Sequence, residues 1–480
     1  MPSVKKNFVF NIINTITGIL FPIVTLPYVF RVLVPEGIGT IDFLNAFVNY
    51  LLLIASLGIP IYAVKEVAKY RDDEQLKRKI TVELFLLGVI LSIVAYVVVF
   101  ILAQTIPQIK TNETIFYILS LSIIFNALGV QWFFQAIEDF AFITIRAILV
   151  RLVAIVLIFL FVKNEDDLIN YALILVFSSV GNNLFNIVRM YKYIPNFADY
   201  FNKDLNLKRH IQPALQLFTL NIIISLYVNL DAIMLGFYKG EEAVGYYSAA
   251  IKFYRVVLTL VTSLGIVLLP RMSNLVQHNN KNEFARLAEK SILFTSFTSI
   301  PLTCMMIILA PNIIMVFSGR LYEPSILVLQ MLSPIILLAG LTNVFGIQML
   351  YPLNKQKLVI YSVSIGAIIC LTLNVFLIPQ YGIYGAAFST LLAEVSVFLF
   401  QIFCIRTIIS FNRLRSSILN YLIGTVLIVI TIIMCWQFDF VDAISLILYP
   451  VVAGIVYLSF LIYKKDKVVV EILNSVNWRK

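Results

Sequence analysis

Residues 8–32 read FVFNIINTITGILFPIVTLPYVFRV, an apolar run whose only charged residue is Arg31. About 20 apolar residues in a helix cross a hydrocarbon core about 30 Å thick, so this run is long enough to span a membrane. Lys5 and Lys6 precede it, as basic residues precede a signal peptide, but no small-residue cleavage site interrupts it. We therefore predict an uncleaved first transmembrane helix.

Similar apolar runs recur along the whole chain. Hydrophobic residues make up 60% of the 480 residues and charged residues only 13%, which is far from the balance of a soluble globular protein. Apolar windows between charged breaks predict an all-α polytopic membrane protein with about fourteen transmembrane helices. The predicted spans are residues 8–33, 40–64, 80–106, 114–136, 142–162, 168–190, 213–236, 244–270, 290–317, 324–349, 357–379, 383–408, 417–437 and 441–463.

The distribution of Lys and Arg predicts the orientation of these spans. Positive loops are retained in the cytoplasm, and most of the 36 basic residues fall in alternate loops on one side. This pattern predicts an inner-membrane protein with both termini in the cytoplasm. The net charge of +10 is then mainly an orientation signal with contacts to anionic lipid, and it does not indicate nucleic-acid binding. The outer loops hold five basic residues: Arg31, Lys110, Lys163, Lys239 and Arg320.

Two halves of the chain resemble each other weakly. The tetrapeptide at 10–13 (FNII) is echoed at 220–223 (LNII), and SLGI at 56–59 returns at 263–266, in the same order and at nearly the same offset. The matches predict a parallel six-helix repeat with two appended helices. The predicted domains are an N-terminal lobe (1–190), a cytoplasmic linker (191–212), a C-terminal lobe (213–408) and a C-terminal region with the last two spans (409–480).

Charged residues inside the predicted spans fall into two groups by depth. Asp42, Glu83, Arg146 and Asp231 lie within a turn or two of a span end, where the interpretation is an interfacial anchor. The deeper group lies near mid-span, where each charge costs roughly 2.5 to 3.5 kcal/mol. Two alternatives stay open for it, a buried ion pair between helices or a hydrated cavity with net positive charge. This group is Arg151, Lys252, Arg255 and Glu394.

Polar residues recur at helical spacing on four predicted spans. Such a stripe indicates one polar face on an apolar helix, either lining a cavity or joining helices through Ser, Thr and Asn side chains. Corresponding stripes in both halves favour the cavity. The stripes are Asn11, Asn14, Gly18, Pro22 and Thr25 in span one; Asp42, Asn45, Asn49 and Ser56 in span two; Asn221, Ser225 and Asn229 in span seven; and Ser248, Lys252, Arg255, Thr259 and Thr262 in span eight.

Several kinds of chemistry have no signature in the sequence. There is no GxxxxGK[ST] phosphate-binding loop, so we expect no ATP hydrolysis. The four cysteines lack CxxC spacing, and His210 and His278 have no partner at HExxH spacing. The acidic residues 165–167 lie in a loop too short for a glycosyltransferase metal site. We therefore expect no metal or cofactor, and we predict that the protein is not an enzyme.

Four stretches resemble a known family. They are residues 26–39 (LPYVFRVLVPEGIG), 63–69 (AVKEVAK), 129–140 (GVQWFFQAIEDF) and 381–387 (YGIYGAA). Together they resemble Wzx-type polysaccharide repeat-unit flippases of the multidrug/oligosaccharidyl-lipid/polysaccharide (MOP) exporter superfamily. The likeness covers nearly the whole chain, and the Trp-aromatic-aromatic-Gln segment is its most specific part. One departure is Lys65, where the family usually has Arg before Glu66.

The resemblance implies a fold and a substrate. The fold is a V-shaped pair of six-helix lobes around a central cavity, lined mainly by helices one, two, seven and eight. The substrate is an oligosaccharide linked to undecaprenyl pyrophosphate, moved from the cytoplasmic to the outer leaflet. In related lipid II flippases two additional C-terminal helices form a groove for the lipid tail, which implies the same role for spans thirteen and fourteen.

Residues and resemblance together give a predicted site. We expect Arg255, Lys252 and Arg151 to attract the pyrophosphate and glycan, with Arg31 and Lys65 at the two mouths of the cavity. Coupling to H⁺ or Na⁺ would use a carboxylate. The other predicted cavity residues are Arg146, Asn11, Asn45, Asn49 and Asn221, and the candidate coupling residues are Glu394, Asp42 and Asp231.

Two alternative functions and several partners complete the prediction. A MATE-like multidrug antiporter would need a cavity dominated by carboxylates, and a polytopic envelope-polysaccharide enzyme would need an outer acidic loop or an intramembrane His. The predicted partners are the lipid-linked oligosaccharide, membrane lipids and the polysaccharide polymerase or export machinery, with no nucleic acid. The glycan stays open between capsule, O-antigen and other polymers.

Overall fold

Every regular element in the described part of the protein is a helix, which confirms the predicted all-α class. The computed structural model describes residues 4–70, 72–194, 205–409, 414–436 and 442–471, and no strand occurs in these ranges. Within them, the side chains of residues 4–8, 217, 219–221, 223–228, 264–267, 270, 442 and 443 are outside the description.

The helices follow one another with short connections. A 3₁₀ turn (Arg320–Tyr322) precedes α13, and a π-helical segment (Val344–Leu350) follows α14. In chain order the α-helices are α1 (Val4–Ser56), α2 (Ile59–Lys69), α3 (Glu74–Thr105), α4 (Pro107–Thr111), α5 (Glu113–Leu128), α6 (Gln131–Ala136), α7 (Phe140–Phe161), α8 (Leu168–Tyr193), α9 (Lys208–Lys239), α10 (Glu241–Gln277), α11 (Lys281–Ile308), α12 (Ala310–Phe317), α13 (Ser325–Leu332), α14 (Ile335–Asn343), α15 (Gln356–Ile405), α16 (Arg415–Trp436) and α17 (Asp442–Tyr463).

The helices have the length and composition of membrane spans. In the described residues ten helical segments are long and apolar enough to cross a bilayer. Two of them, Val9–Lys69 and Gln356–Ile405, each contain two predicted spans. The predicted seventh and eighth spans coincide with α9 and α10, which have 32 and 37 residues. The chain is therefore a multi-pass membrane protein.

Two long helices contain a kink where the sequence predicts the joint between two spans. In α1 the backbone leaves helical geometry at Val34 (φ 51°, ψ 174°), immediately before Pro35. In α15 it does so at Gly382 (φ 55°, ψ −128°), three residues after Pro379. Proline removes a backbone donor and clashes with the preceding turn, so a helix bends or stops beside it.

Other predicted spans are interrupted inside the apolar run. The helices break inside the predicted spans 40–64, 114–136 and 290–317, at Leu57 and Gly58, at Val130 and at Leu309 respectively. Leu57, Gly58 and Val130 have positive φ angles. Hydropathy does not show these breaks because apolar residues continue through them.

The two copies of the repeated SLGI motif have different backbone conformations. The first SLGI, residues 56–59, contains the break between α1 and α2. The second, residues 263–266, lies inside α10. The same four residues therefore end a helix in one half and continue one in the other.

The chain divides into two compact units, residues 1–245 and 246–480. In the first unit α1 packs against α3, α5, α7 and α9, while α8 packs against α5 and α7. This unit includes α9, which the sequence analysis assigns to the C-terminal lobe. The predicted domain boundaries stay a prediction.

The kink of α1 makes a close backbone contact with the start of α10 inside the first unit. A Cβ on Gly39 would lie 1.6 Å from the carbonyl oxygen of Glu241, and one on Gly245 would lie 1.9 Å from the carbonyl oxygen of Pro35. No side chain fits at such distances, so glycine at both positions permits the contact. The Glu241 carboxylate accepts hydrogen bonds from Thr40 (2.5 Å) and from the side chain of Asn112 (3.0 Å).

In the second unit the two C-terminal helices are part of the packed core. α16 packs against α11 and α17, and α17 packs against α12. The Tyr457 hydroxyl donates to the carbonyl oxygen of Phe297 (3.0 Å), and the Tyr421 hydroxyl donates to Oδ1 of Asp466 (3.0 Å). Buried apolar side chains of α11, α16 and α17 belong to one cluster.

Candidate substrate site

Arg151 of α7 binds the polar stripe of α1. Its Nη1 donates to the carbonyl oxygen of Asn14 (3.0 Å), to Oδ1 of Asn14 (3.1 Å) and to Oγ1 of Thr17 (2.7 Å). The other guanidinium nitrogen, Nη2, faces Gly18, where a Cβ would lie 3.4 Å away. Among the described residues no carboxylate forms an ion pair with Arg151, so its positive charge is held by neutral partners.

Arg146, one turn earlier on α7, is enclosed by helix packing. Only 3% of its surface is exposed. Its Nη1 donates to the carbonyl oxygen of Asn182 (3.1 Å), and its guanidinium lies 4.9 Å from the ring centroid of Phe142. Arg189, which the sequence analysis did not select, lies 4.1 Å from the same ring and pairs with Asp139 (2.6 Å). Arg146 and Arg189 therefore both contact Phe142.

A polar residue in the second half of α1 contacts α9. Nδ2 of Asn49 donates to Oδ1 of Asn229 at 3.5 Å, which joins the predicted stripes of spans two and seven. Asp42 and Asn45 are half-buried, and Asp231 is buried. The structure thus brings together predicted residues from spans one, two, five and seven within the first unit.

The remaining predicted residues lie apart from these contacts. Asn11 and Arg31 on α1 and Lys65 on α2 are exposed. Asn221 lies on α9, but its side chain is outside the described residues. In the second unit Lys252 and Arg255 lie about one turn apart on α10, Glu394 lies on α15, and all three are half-buried with at least one interaction each.

The structure also contains a buried polar cluster that the sequence analysis missed. Glu83 of α3 and His210 of α9 are both completely buried, with His210 Nε2 3.0 Å from Glu83 Oε2. The Tyr62 hydroxyl lies 2.9 Å from His210 Nδ1. Arg209 forms an ion pair with Glu83, and the backbone N–H of Asn206 donates to Oε1 of Glu83 at 2.9 Å. The interfacial-anchor interpretation of Glu83 is therefore wrong.

The charges of this cluster determine the state of its histidine. With Glu83 ionised and Arg209 positive, neutral His210 leaves the group without net charge. With a proton on Nε2, His210 donates to Glu83 and accepts from Tyr62 at Nδ1, whereas the other tautomer accepts at Nε2 from Nε of Arg209 (3.2 Å). Burial lowers the pKa of His210 below its usual range, although the Glu83 carboxylate opposes that shift. No pattern of spacing links these residues, which are 127 positions apart.

A charged cavity of about 500 Å³ lies in the second unit beside α11 and the chain after α17. Arg286, Lys290 and Lys467 line it together with Glu289 and Glu471. Lys290 pairs with Glu471 at 2.5 Å. The described residues hold no group of three or more His, Cys, Asp or Glu side chains placed to bind a metal ion.

The helices define a multi-pass membrane protein, and comparison with known proteins gives its family. A family model described as polysaccharide biosynthesis protein matches residues 4–276, and one described as MatE matches residues 217–377. The chain belongs to the polysaccharide biosynthesis protein family. The predicted relationship to Wzx-type flippases of the MOP superfamily is confirmed.

Individual relatives agree with this assignment. A protein of Escherichia coli (strain K12) described as an O-antigen transporter is 24% identical over 357 residues, which are 74% of this chain and 85% of that protein. The lipid II flippase MurJ in an inward closed conformation has a similar fold, with a TM-score of 0.69, 18% identity, and coverage of 96% of this chain and 99% of that chain. An inward-facing MATE family multidrug resistance transporter gives a TM-score of 0.60, 15% identity, and coverage of 81% and 94%. These relatives are transporters, which confirms that prediction.

Proposed function

We propose that this protein is a flippase for oligosaccharide repeat units linked to undecaprenyl pyrophosphate. It moves them by alternating access from the cytoplasmic to the outer leaflet of the bacterial inner membrane, for a cell-surface polysaccharide. Membership of the polysaccharide biosynthesis family and similarity to an O-antigen transporter support the substrate class. The observation that carries the mechanism is Arg151, a mid-helix cation whose described partners are neutral.

Arg151 has the chemistry of a pyrophosphate contact. Asn14 and Thr17 orient its Nη1 without cancelling its charge, and Gly18 leaves the side of Nη2 without a side chain. A guanidinium can bind two phosphate oxygens at once, and a partly buried position strengthens the attraction relative to bulk water.

The other predicted residues complete the proposed route. Lys252 and Arg255 on α10 provide further positive charge for the headgroup, and exposed Arg31 and Lys65 receive it at the two mouths. Arg146 positions α7 against α8 through its hydrogen bond to the carbonyl oxygen of Asn182. Asn11, Asn45, Asn49 and Asn221 provide neutral contacts along the polar stripes.

The membrane potential supplies driving force for this direction. An anion that leaves a negative-inside cell gains about 2.3 kcal/mol per charge per 100 mV. Glu394, Asp42 and Asp231 are the proposed carboxylates if H⁺ or Na⁺ movement is also coupled to transport. In this orientation both termini lie in the cytoplasm, and the polysaccharide polymerase or export machinery receives the product.

A vesicle assay tests the proposal. Purified protein is reconstituted with a fluorescently labelled lipid-linked oligosaccharide, and the fraction in each leaflet is measured with and without an imposed potential. We expect protein-dependent flipping that increases when the substrate's starting side is negative. A protein that leaves this lipid in place but exchanges cationic drugs for H⁺ or Na⁺ would be a MATE-like antiporter instead.

A further inference from the structure

The segment that follows α5 is a short helix fixed by two asparagines. α5 ends at Leu128, and Val130 has a φ of 37° before α6 begins. The side-chain amide of Asn186 donates to the carbonyl oxygen of Gly129 (2.5 Å), and that of Asn183 donates to the carbonyl oxygen of Phe125 (2.9 Å). The break in the helix is therefore held in place by α8.

The short helix α6 has two different faces. Phe133 and Phe134 are buried, and the ring centroid of Phe133 lies 5.4 Å from that of Tyr193 on α8. Gln131 and Gln135 lie four residues apart, so both extend from one side of the helix. The aromatic residues anchor α6 in the core and leave the two glutamines at its surface.

These glutamines line a cavity of about 250 Å³ within the first unit. It is bounded by the end of α1, the start of α2, and by α3, α5 and α6, and none of its lining residues is charged. The structure records no side-chain hydrogen bond for Asn126, Gln131 or Gln135 within the described part of the chain. The polar and aromatic side chains of the lining are Ser56, Ser92, Asn126, Gln131, Trp132 and Gln135.

The lining has the chemistry of a sugar site. Each amide offers one acceptor and two donors, which match the hydroxyl groups of a sugar in either direction. Trp132 provides a flat apolar surface for the C–H face of a pyranose ring. An ionised ligand would find no counter-charge there, which argues against the pyrophosphate as the occupant. The cavity of about 250 Å³ is smaller than most ligand pockets, which enclose about 300–1,000 Å³, so it fits a single sugar ring and not a longer glycan.

We propose that this cavity, bounded by α1, α2, α3, α5 and α6, binds one neutral sugar ring of the transported glycan. The proposal rests on the proposed flippase function and adds a glycan subsite separate from the cationic contacts. Gln131, Gln135 and Asn126 bind the hydroxyl groups, and Trp132 contacts the ring face. The Asn183 and Asn186 contacts hold α6 in the binding position, so the site recognises the sugar without first ordering a loop.

Tryptophan fluorescence tests the subsite without requiring transport. The chain has three tryptophans, and replacement of Trp436 and Trp478 by Phe leaves Trp132 as the reporter. The protein is titrated with the methyl glycosides of glucose, galactose, rhamnose and N-acetylglucosamine. We expect a saturable change with at least one of them, and an affinity at least tenfold lower in the double variant Gln131→Leu, Gln135→Leu. The matched control is the double variant Gln104→Leu, Gln212→Leu, at two exposed glutamines that do not line the cavity.

A second variant closes the cavity without removing a hydrogen bond. A Cβ on Gly88 of α3 meets no atom within 4 Å, because Gly88 borders the cavity. We expect Gly88→Leu to fold and to abolish the fluorescence response. A response to none of the four glycosides, or the same response in both cavity variants as in the parent, would overturn the subsite.

Lipid binding separates failure of the subsite from failure of the proposed function. Binding of undecaprenyl pyrophosphate, with and without one attached N-acetylglucosamine, is measured in lipid nanodiscs. We expect the wild-type protein to prefer the sugar-bearing lipid and both cavity variants to lose this preference while still binding undecaprenyl pyrophosphate. Equal wild-type affinity for the two lipids overturns the subsite alone. No binding of either lipid overturns the proposed function.

Discussion

The imidazole of His210 lies 3.0 Å from the carboxylate of Glu83, and both side chains are completely buried. This contact joins the start of α9 to α3, and Tyr62 extends it to α2. Arg209 adds the positive charge that balances Glu83. Three helices of the first unit therefore meet at one polar cluster whose total charge depends on a single proton.

The first prediction concerns pH. Because burial lowers the pKa of His210, the unfolded chain binds this proton at a higher pH than the folded protein. The stability from neutral His210 is fully present above about pH 6.5 and decreases as the pH falls below that value. The charges that act on His210 are Glu83, Arg209 and Glu66. We expect the melting temperature to fall between pH 7.5 and 5.5, and less steeply in His210→Gln.

His278 provides the control for this measurement. It is exposed just after α10, so His278→Gln should keep the wild-type pH dependence. Identical slopes in the wild-type protein and in His210→Gln would show that this histidine does not set the pH dependence.

The second prediction is that the two members of the Arg209–Glu83 ion pair differ in the stability lost when each is replaced. The side chain of Glu83 has no exposed surface, whereas 37% of that of Arg209 is exposed. Arg209→Gln leaves a buried carboxylate without its cation, whereas Glu83→Gln leaves an arginine that can reach water. Breaking a buried ion pair costs about 3–5 kcal/mol of stability, and breaking an exposed pair costs about 0–1 kcal/mol. Because one member of this pair is buried and the other is partly exposed, we expect Arg209→Gln to lower the free energy of unfolding by about 1–3 kcal/mol.

Denaturant or thermal unfolding in detergent measures this difference. Glu83→Gln should be less destabilising than Arg209→Gln, and the double variant should be more stable than Arg209→Gln alone. Equal losses for the two single variants would contradict an uncompensated buried carboxylate.

The third prediction concerns the contact between α1 and α10. Gly39→Ala and Gly245→Ala each place a methyl group against a backbone carbonyl, so the two segments must separate. Overpacking of this kind costs about 1–3 kcal/mol, and we expect slower flipping together with lower stability. In the control Gly454→Ala, the new Cβ meets nothing within 4 Å, and α17 should keep or gain stability. Wild-type stability and flipping in both contact variants would show that this contact is not required.

The fourth prediction concerns the proposed headgroup contact. We expect Arg151→Gln to reduce flipping at least tenfold while the protein still inserts and folds, because Asn14 and Thr17 keep a polar partner. Arg151→Lys should retain an intermediate rate, since lysine keeps the charge but not the bidentate geometry. Lys281→Gln, which removes an exposed cation at the start of α11, is the control. Unchanged flipping in Arg151→Gln would remove this residue from the mechanism.

The membrane class could be predicted from sequence because a bilayer demands long apolar helices. The kinks at Val34 and Gly382 lie at predicted joints, where proline and glycine interrupt the hydrophobic pattern. Asn14, in the polar stripe of the first predicted span, contacts Arg151, which is a mid-span charge. Each of these features depends on local composition or on a strong energetic cost of charge in the membrane.

The remaining features depend on contacts between distant residues. The breaks at Leu57 and Val130 lie in apolar sequence, and α6 is held there by Asn183 and Asn186, which follow more than fifty residues later. The predicted linker 191–212 includes His210, whose partner Glu83 is remote in sequence and lies inside a predicted span. Hydropathy reports the tendency to enter the membrane, and it contains no information on which helix faces meet.

The three prolines inside α1 have a mechanical consequence. At Pro22, Pro27 and Pro35 the N–H that would continue the helical ladder is missing. Bending an intact helix sacrifices hydrogen bonds worth about 0.5–1.5 kcal/mol each, but at these three positions there is no bond left to break. The helix that presents Asn14 and Thr17 therefore loses less hydrogen-bond energy on bending than an uninterrupted helix would.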